Sequence, residues 1–188
     1  YSLETSKIPG QPYFMNLSIA VENTTEANFD LSQYSLYLGS AYPLHPKERP
    51  THTGFFWYED KEMHFKAATA FKGGWFSSER SVINSESEEP VIYAGVTDQF
   101  FTTVVRPKKP ELTQVWGKPD NVRPTPKGTS LSAVRAAISL PETSIASGSQ
   151  AVLEYKIFTG PKANTMLRKL DNVDGVGKGW GDVMQYGF

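Results

Sequence analysis

Residues 91–105 read VIYAGVTDQFFTTVV, the longest β-prone stretch of the chain. β-branched and aromatic residues dominate it, and these suit a pleated, half-buried surface. The stretch ends in Arg106–Pro110 (RPKKP).

Similar runs lie on both sides. Upstream, Phe14–Val21 (FMNLSIAV) and Phe29–Leu38 (FDLSQYSLYL) alternate apolar and polar residues about the turn-prone ENTTEAN. They read as an antiparallel pair with one buried face. Gly39–Thr53 is a Pro-rich connection, and Phe55–Tyr58 and Met63–Phe71 are further strands before the punctuation of Lys72-Gly73-Gly74. Ser77–Pro90 is Ser- and Glu-rich and reads as exposed, with Val82-Ile83 able to pair at an edge. Downstream, Leu112–Trp116 reads as a short strand and Lys118–Gly128 as a loop with three prolines. Leu131–Leu140 and Ala151–Phe158 then alternate on either side of PETSIASGS. Roughly eight to ten short strands at this spacing predict an all-β antiparallel sandwich. There is no internal repeat and no linker, so residues 1–188 read as a single domain.

The pattern changes only near the end. Gly160 suits an N-cap and Pro161 the first helical position. Ala163, Met166, Leu167 and Leu170 then fall on one apolar stripe, with Arg168 and Lys169 in the last turn. This predicts a short amphipathic helix over 160–172, too short to be stable alone and so docked on the sandwich. Residues 173–188 form a Gly- and aromatic-rich tail.

Composition narrows the function. The net charge of -1 disfavours nucleic acid, which calls for a basic face. With no cysteine, there is no disulfide framework, thiolate metal site or cysteine nucleophile. No apolar run is long enough to span a membrane, and YSLETSKIPGQP lacks the apolar core of a signal peptide.

The search for chemistry is negative. His45, His52 and His64 show no metal-ligand spacing with Glu48, Glu59, Asp60 or Glu62, so neither a metal nor a cofactor is expected. Glu86, Glu88 and Glu89 lie in a Ser-rich loop, a poor host for a catalytic carboxylate pair. No nucleophile elbow or phosphate loop occurs. The aromatics Phe55, Phe56, Trp57, Tyr58, Trp75 and Phe76 are dense enough to line a groove, although alternation along a strand favours core. Trp57, Tyr58, Trp75 and Phe76 are the groove candidates. On this basis a carbohydrate-binding or carbohydrate-active β-sandwich is one reading.

The order of motifs supplies another. GGWFSS, then VIYAGVTDQFFTTVVRP, then a strand ending in Gly-Pro-Lys, a short helix and MQYGF follow one another. This order resembles the periplasmic domain of bacterial YidC-type membrane protein insertases. The matching positions are Tyr93, Gln99, Phe100 and Phe101, then Gly160, Pro161, Lys162, Leu167 and Leu170, and finally Tyr186, Gly187 and Phe188. The early GQPYFMNLSIAVENTT also fits, whereas the family's domain is usually longer at its N-terminal side and less Gly-rich over 171–181.

The resemblance implies a β-supersandwich of the galactose-mutarotase-like kind, without catalytic residues, on the periplasmic side of the bacterial inner membrane. It implies an interaction and positioning module, not an enzyme, within a multi-pass protein that inserts and folds inner-membrane proteins, alone or with the Sec translocase. The implied partners are Sec accessory subunits and nascent membrane proteins. Carried over, the coupling helix holds Pro161, Lys162, Met166, Leu167 and Leu170, and 173–188 link to the membrane part. Beyond Phe188 the resemblance predicts an interfacial segment and several apolar spans of ~20 residues.

Overall fold

The computed structural model describes the backbone of residues 2–5 and residues 13–73, 78–86, 89–123, 128–163, 167, 168 and 183. Thirteen strands are described. They are β1 (Ser2–Thr5), β2 (Phe14–Glu22), β3 (Phe29–Asp30), β4 (Ser35–Ala41), β5 (Gly54–Glu59), β6 (Glu62–Ala67) and β7 (Ile83–Asn84), followed by β8 (Tyr93–Thr97), β9 (Phe101–Pro107), β10 (Val115–Val122), β11 (Leu131–Ser139), β12 (Ser144–Ile145) and β13 (Gln150–Pro161). A seven-stranded sheet has the order β1-β2-β13-β9-β8-β5-β6 and a four-stranded sheet the order β4-β11-β10-β7. β12 and β3 form a two-stranded ribbon. All pairings are antiparallel.

The large sheet is apolar on both faces because its strands alternate two apolar sets. Phe55 and Trp57 of β5, Ala94 and Val96 of β8 and Val105 of β9 turn towards the four-stranded sheet, meeting Leu38, Val115, Val134 and Ile138. The next residue along each strand points the other way. Phe56, Tyr58, Tyr93, Val104 and Phe158 build a second cluster on the outer face. Gly117 sets the spacing of the layers: a Cβ there would lie 2.4 Å from Cε1 of Phe55, so only glycine lets that ring reach across.

Several expectations are corrected. Phe14–Val21 and Phe29–Leu38 do not pair: β2 runs between β1 and β13, whereas β4 pairs β11 in the other sheet. Length decides this, because β13 offers β2 a nine-residue ladder from Gln150↔Glu22 to Phe158↔Phe14. The β-prone stretch 91–105 folds as a hairpin of β8 and β9 that turns at Asp98. β10 runs through Pro119, placed in the Lys118–Gly128 loop by the sequence, because β7 covers only Trp116 and Gly117 and leaves β10 an open edge there. Val82-Ile83 was expected at an edge, and β7 is the edge strand of its sheet.

The helix start moves as well. Gly160 and Pro161 are the last residues of β13, paired with Thr102 and Phe101. Helical backbone is described at Leu167 and Arg168, with the Leu167 N–H donating to the Ala163 carbonyl at 2.9 Å. Two more cross-strand pairs gave β13 a better use for Gly160 and Pro161 than a helix cap. Among the described residues no helix is long and apolar enough to cross a membrane.

Candidate functional site at the end of β13

Two separated motifs meet in one register. Phe101 opens β9 opposite Pro161 of β13, and Thr102 faces Gly160. The ladder is extended past the proline by the Lys162 N–H, which donates to the Phe100 carbonyl at 2.7 Å. Gln99-Phe100-Phe101 and Gly160-Pro161-Lys162, some sixty positions apart, thus form one junction.

Asp98 fixes the turn. Its Oδ1 accepts from the N–H of Phe100 at 2.6 Å and of Phe101 at 2.7 Å, and its own N–H donates to the Phe101 carbonyl at 3.0 Å. The Thr97 hydroxyl donates to the Phe101 carbonyl at 3.0 Å. The turn is therefore rigid, yet Phe100 and Phe101 stand about half exposed. An Asp at a turn start is a recognisable signal, but here it lies inside a continuous β-prone run.

Lys162 lies partly beneath this turn, its Nζ donating to the Asp98 carbonyl at 3.2 Å. Burial pushes its ammonium down to about 8, against an opposing pull from the Asp98 charge. Tyr13 closes the other side. Its carbonyl accepts from the Thr159 N–H at 3.0 Å, and its ring meets Phe158 edge-on at 6.3 Å. Tyr13 takes a left-handed φ of 76°, and Gly160 leaves room for its ring, since a Cβ there would sit 2.8 Å from Tyr13 Cγ.

Beyond β13 the chain turns onto the outer face of the large sheet. Leu167 and Val183 are fully buried there with Phe14, Phe56, Tyr58, Tyr93, Val104 and Phe158. These two residues help keep from water a face that the four-stranded sheet does not reach. Arg168, next to Leu167, is exposed. Of the expected helix residues, Pro161, Lys162 and Leu167 are described, while Met166 and Leu170 lie outside the described residues.

The aromatic candidates do not share a groove. Trp57 and Tyr58 are adjacent on β5, point to opposite faces and are both buried. Trp57 stacks on His64 at 5.1 Å and donates its Nε1 hydrogen to Glu59, while Tyr58 stacks on Tyr93 at 4.9 Å. Trp75 and Phe76 lie outside the described residues. Among the described residues, no group of three or more His, Asp or Glu is placed to hold a metal ion. A cleft of about 210 Å³ at the opposite end of the sandwich includes Glu111 and Tyr155. Burial, and then the Glu111 charge, pushes the Tyr155 hydroxyl up to about 12, which makes it a poor acid or base.

A family model for the YidC periplasmic domain matches residues 5–188. The chain belongs to the YidC periplasmic domain family. The match takes in both halves of the β9–β13 junction and both residues seen on the outer face, Leu167 and Val183. Membership places the chain on the periplasmic side of a membrane protein, as an insertase-associated domain. The YidC periplasmic domain is not an enzyme family. No curated protein matches the chain.

Proposed function

We propose that this YidC periplasmic domain is an interaction and positioning module of an inner-membrane insertase, which helps insert and fold membrane proteins alone or with the Sec translocase. A short helix that includes Leu167 couples the sandwich to the membrane-spanning part. The sandwich is of the supersandwich kind known from sugar-processing proteins, used here as a scaffold. Sec accessory subunits and nascent membrane proteins are its partners.

The observation that carries this reading is the burial of Leu167 against Phe14, Phe56 and Phe158, five residues after Lys162 is bonded to the Phe100 turn. A flexible tether would leave such a residue exposed. A docked one transmits the orientation of the sandwich to the chain that follows. The groove reading loses its support, since Trp57 and Tyr58 are core.

The test uses the full-length insertase in a strain depleted of its own. Deleting 161–170, and separately replacing Leu167 by Asp, should impair insertion of a Sec-independent substrate. A photo-crosslinker at Lys162 should capture a Sec accessory subunit. Full insertion activity after both changes would reduce the domain to a spacer.

A further inference from the structure

The sandwich is polar along its strand axis. At the end where β13 finishes, the described connections include 42–53, 98–100, 123 with 128–130, and 162–163. They carry Lys47, Arg49, Arg123 and Lys162 against Glu48 and Asp98. Both carboxylates fold back on their own loops, Glu48 Oε1 accepting from the His45 N–H at 2.7 Å and Asp98 from its turn. At the opposite end the connections carry Glu26, Asp60, Glu86, Glu89, Glu111 and Glu142, with Asp30 at the end of β3, against Lys61, Lys108 and Lys109. The overall charge of -1 conceals this separation.

Half of the large exposed apolar side chains among the described residues lie at the basic end. Tyr13, Tyr42, Leu44, Phe100 and Phe101 are each 42–49% exposed. Ser40 and Ala41 share an open cleft with Tyr13, Phe101 and Pro161, and Tyr42 and Leu44 follow them directly in the chain. Tyrosines with a polar edge beside phenylalanine and leucine, on an end that also carries cations, suit the boundary between lipid headgroups and acyl chains. The chain also leaves β13 at this end.

We propose that the end carrying Tyr13, Tyr42, Leu44, Phe100 and Phe101 rests on an anionic lipid surface, with Lys47, Arg49 and Arg123 facing the headgroups. The acidic end then points away, so the separated charge orients the domain. Tethering to a membrane would make even a weak surface affinity effective, because the local lipid concentration is high. This rests on the membrane-associated reading above, but its test is independent of insertion activity.

The 188-residue chain is floated with vesicles of phosphatidylethanolamine and phosphatidylglycerol, and with phosphatidylcholine alone. Binding is expected to the anionic vesicles only, and to weaken in high salt. Lys47→Glu with Arg49→Glu should lower it about fivefold per charge removed. Phe100→Ser with Phe101→Ser should lower it about tenfold. Glu111→Lys, at the far end, should leave it unchanged or raise it. Absence of binding, equal binding to neutral vesicles, or equal loss from Glu111→Lys would overturn the proposal. So would a dimer in solution that the Phe100/Phe101 variant dissolves, since the patch would then belong to a second copy. Circular dichroism confirms that each variant is folded. If vesicle binding fails while insertion still depends on Leu167, the positioning function stands and only the lipid contact falls.

Discussion

Phe101 and Pro161 lie directly opposite one another at the last rung of the β9–β13 ladder. The pair joins a surface turn to the point where the chain leaves β13. Pro161 interrupts the ladder, since it offers no N–H. Lys162 resumes bonding one residue later, to Phe100. The exit of the chain is therefore set by the turn, and the turn by Asp98.

Asp98→Ala should loosen this corner. It leaves the N–H groups of Phe100 and Phe101 without their short bonds to Oδ1 in a part-buried setting. The expected cost is about 1–3 kcal/mol in urea unfolding. Asp98→Asn keeps an acceptor oxygen and should cost less. Equal costs for both would mean that the carboxylate's charge, not its acceptor geometry, holds the turn.

Gly160→Ala should be destabilising through Tyr13 alone. The added Cβ would sit 2.8 Å from Tyr13 Cγ and 3.1 Å from its Cβ, atoms that cannot swing away without moving the backbone. A loss of about 1–3 kcal/mol is expected. Tyr13→Gly removes the obstacle and also relieves the left-handed φ of 76°. In that background Gly160→Ala should cost well under half as much. A double-mutant cycle reads the coupling directly, and additive effects would place the clash elsewhere.

The contrast between these sites and the strands shows what a sequence discloses. Alternation made β11 and β13 visible, because a half-buried strand writes its two faces into every second residue. β8 and β9 were hidden in one run, since their turn is made by Asp98 within an otherwise β-prone stretch. Pairing partners were hidden too. β2 finds β13 across the whole chain, while the nearer β4 lies in the other sheet. The Gln99-Phe100-Phe101 and Gly160-Pro161-Lys162 motifs were both legible, but their meeting depends on register, which no local pattern records. Tyr13 gave no signal at all: its role comes from a space that Gly160 leaves open on another strand.

Lys162 predicts a pH dependence of known sign. Burial lowers its folded value from the ordinary 10.5 to about 8, so the native state binds the proton less tightly than the unfolded chain. Between these values the unfolded state holds more protons, and stability attributable to this group rises with pH. The penalty is present in full below about pH 8 and relieved as pH climbs towards 10.5. Lys162→Met should therefore stabilise the domain near neutral pH, and the difference from wild type should shrink through that window. Tyr155 bends both curves above pH 10 in the same way, so the difference isolates the lysine. A difference independent of pH would show that the ammonium is not desolvated.

Leu167→Ala tests whether the chain beyond β13 belongs to the fold. The side chain is fully buried on the outer face, among rings contributed by β2, β5, β8 and β13. If that contact forms part of one cooperative core, truncation should cost about 2–5 kcal/mol, the range for a buried leucine. Arg168→Ala, at the exposed neighbouring position, should change stability by less than about 0.5 kcal/mol. Amide exchange separates the two ways in which the leucine could matter. Global destabilisation would speed exchange in the large sheet as a whole. Local undocking would speed it only near Leu167, at a small cost in global stability. The second outcome would make the chain beyond β13 a detachable cover, and a rigid link from the Phe100 turn to the membrane could not then be maintained.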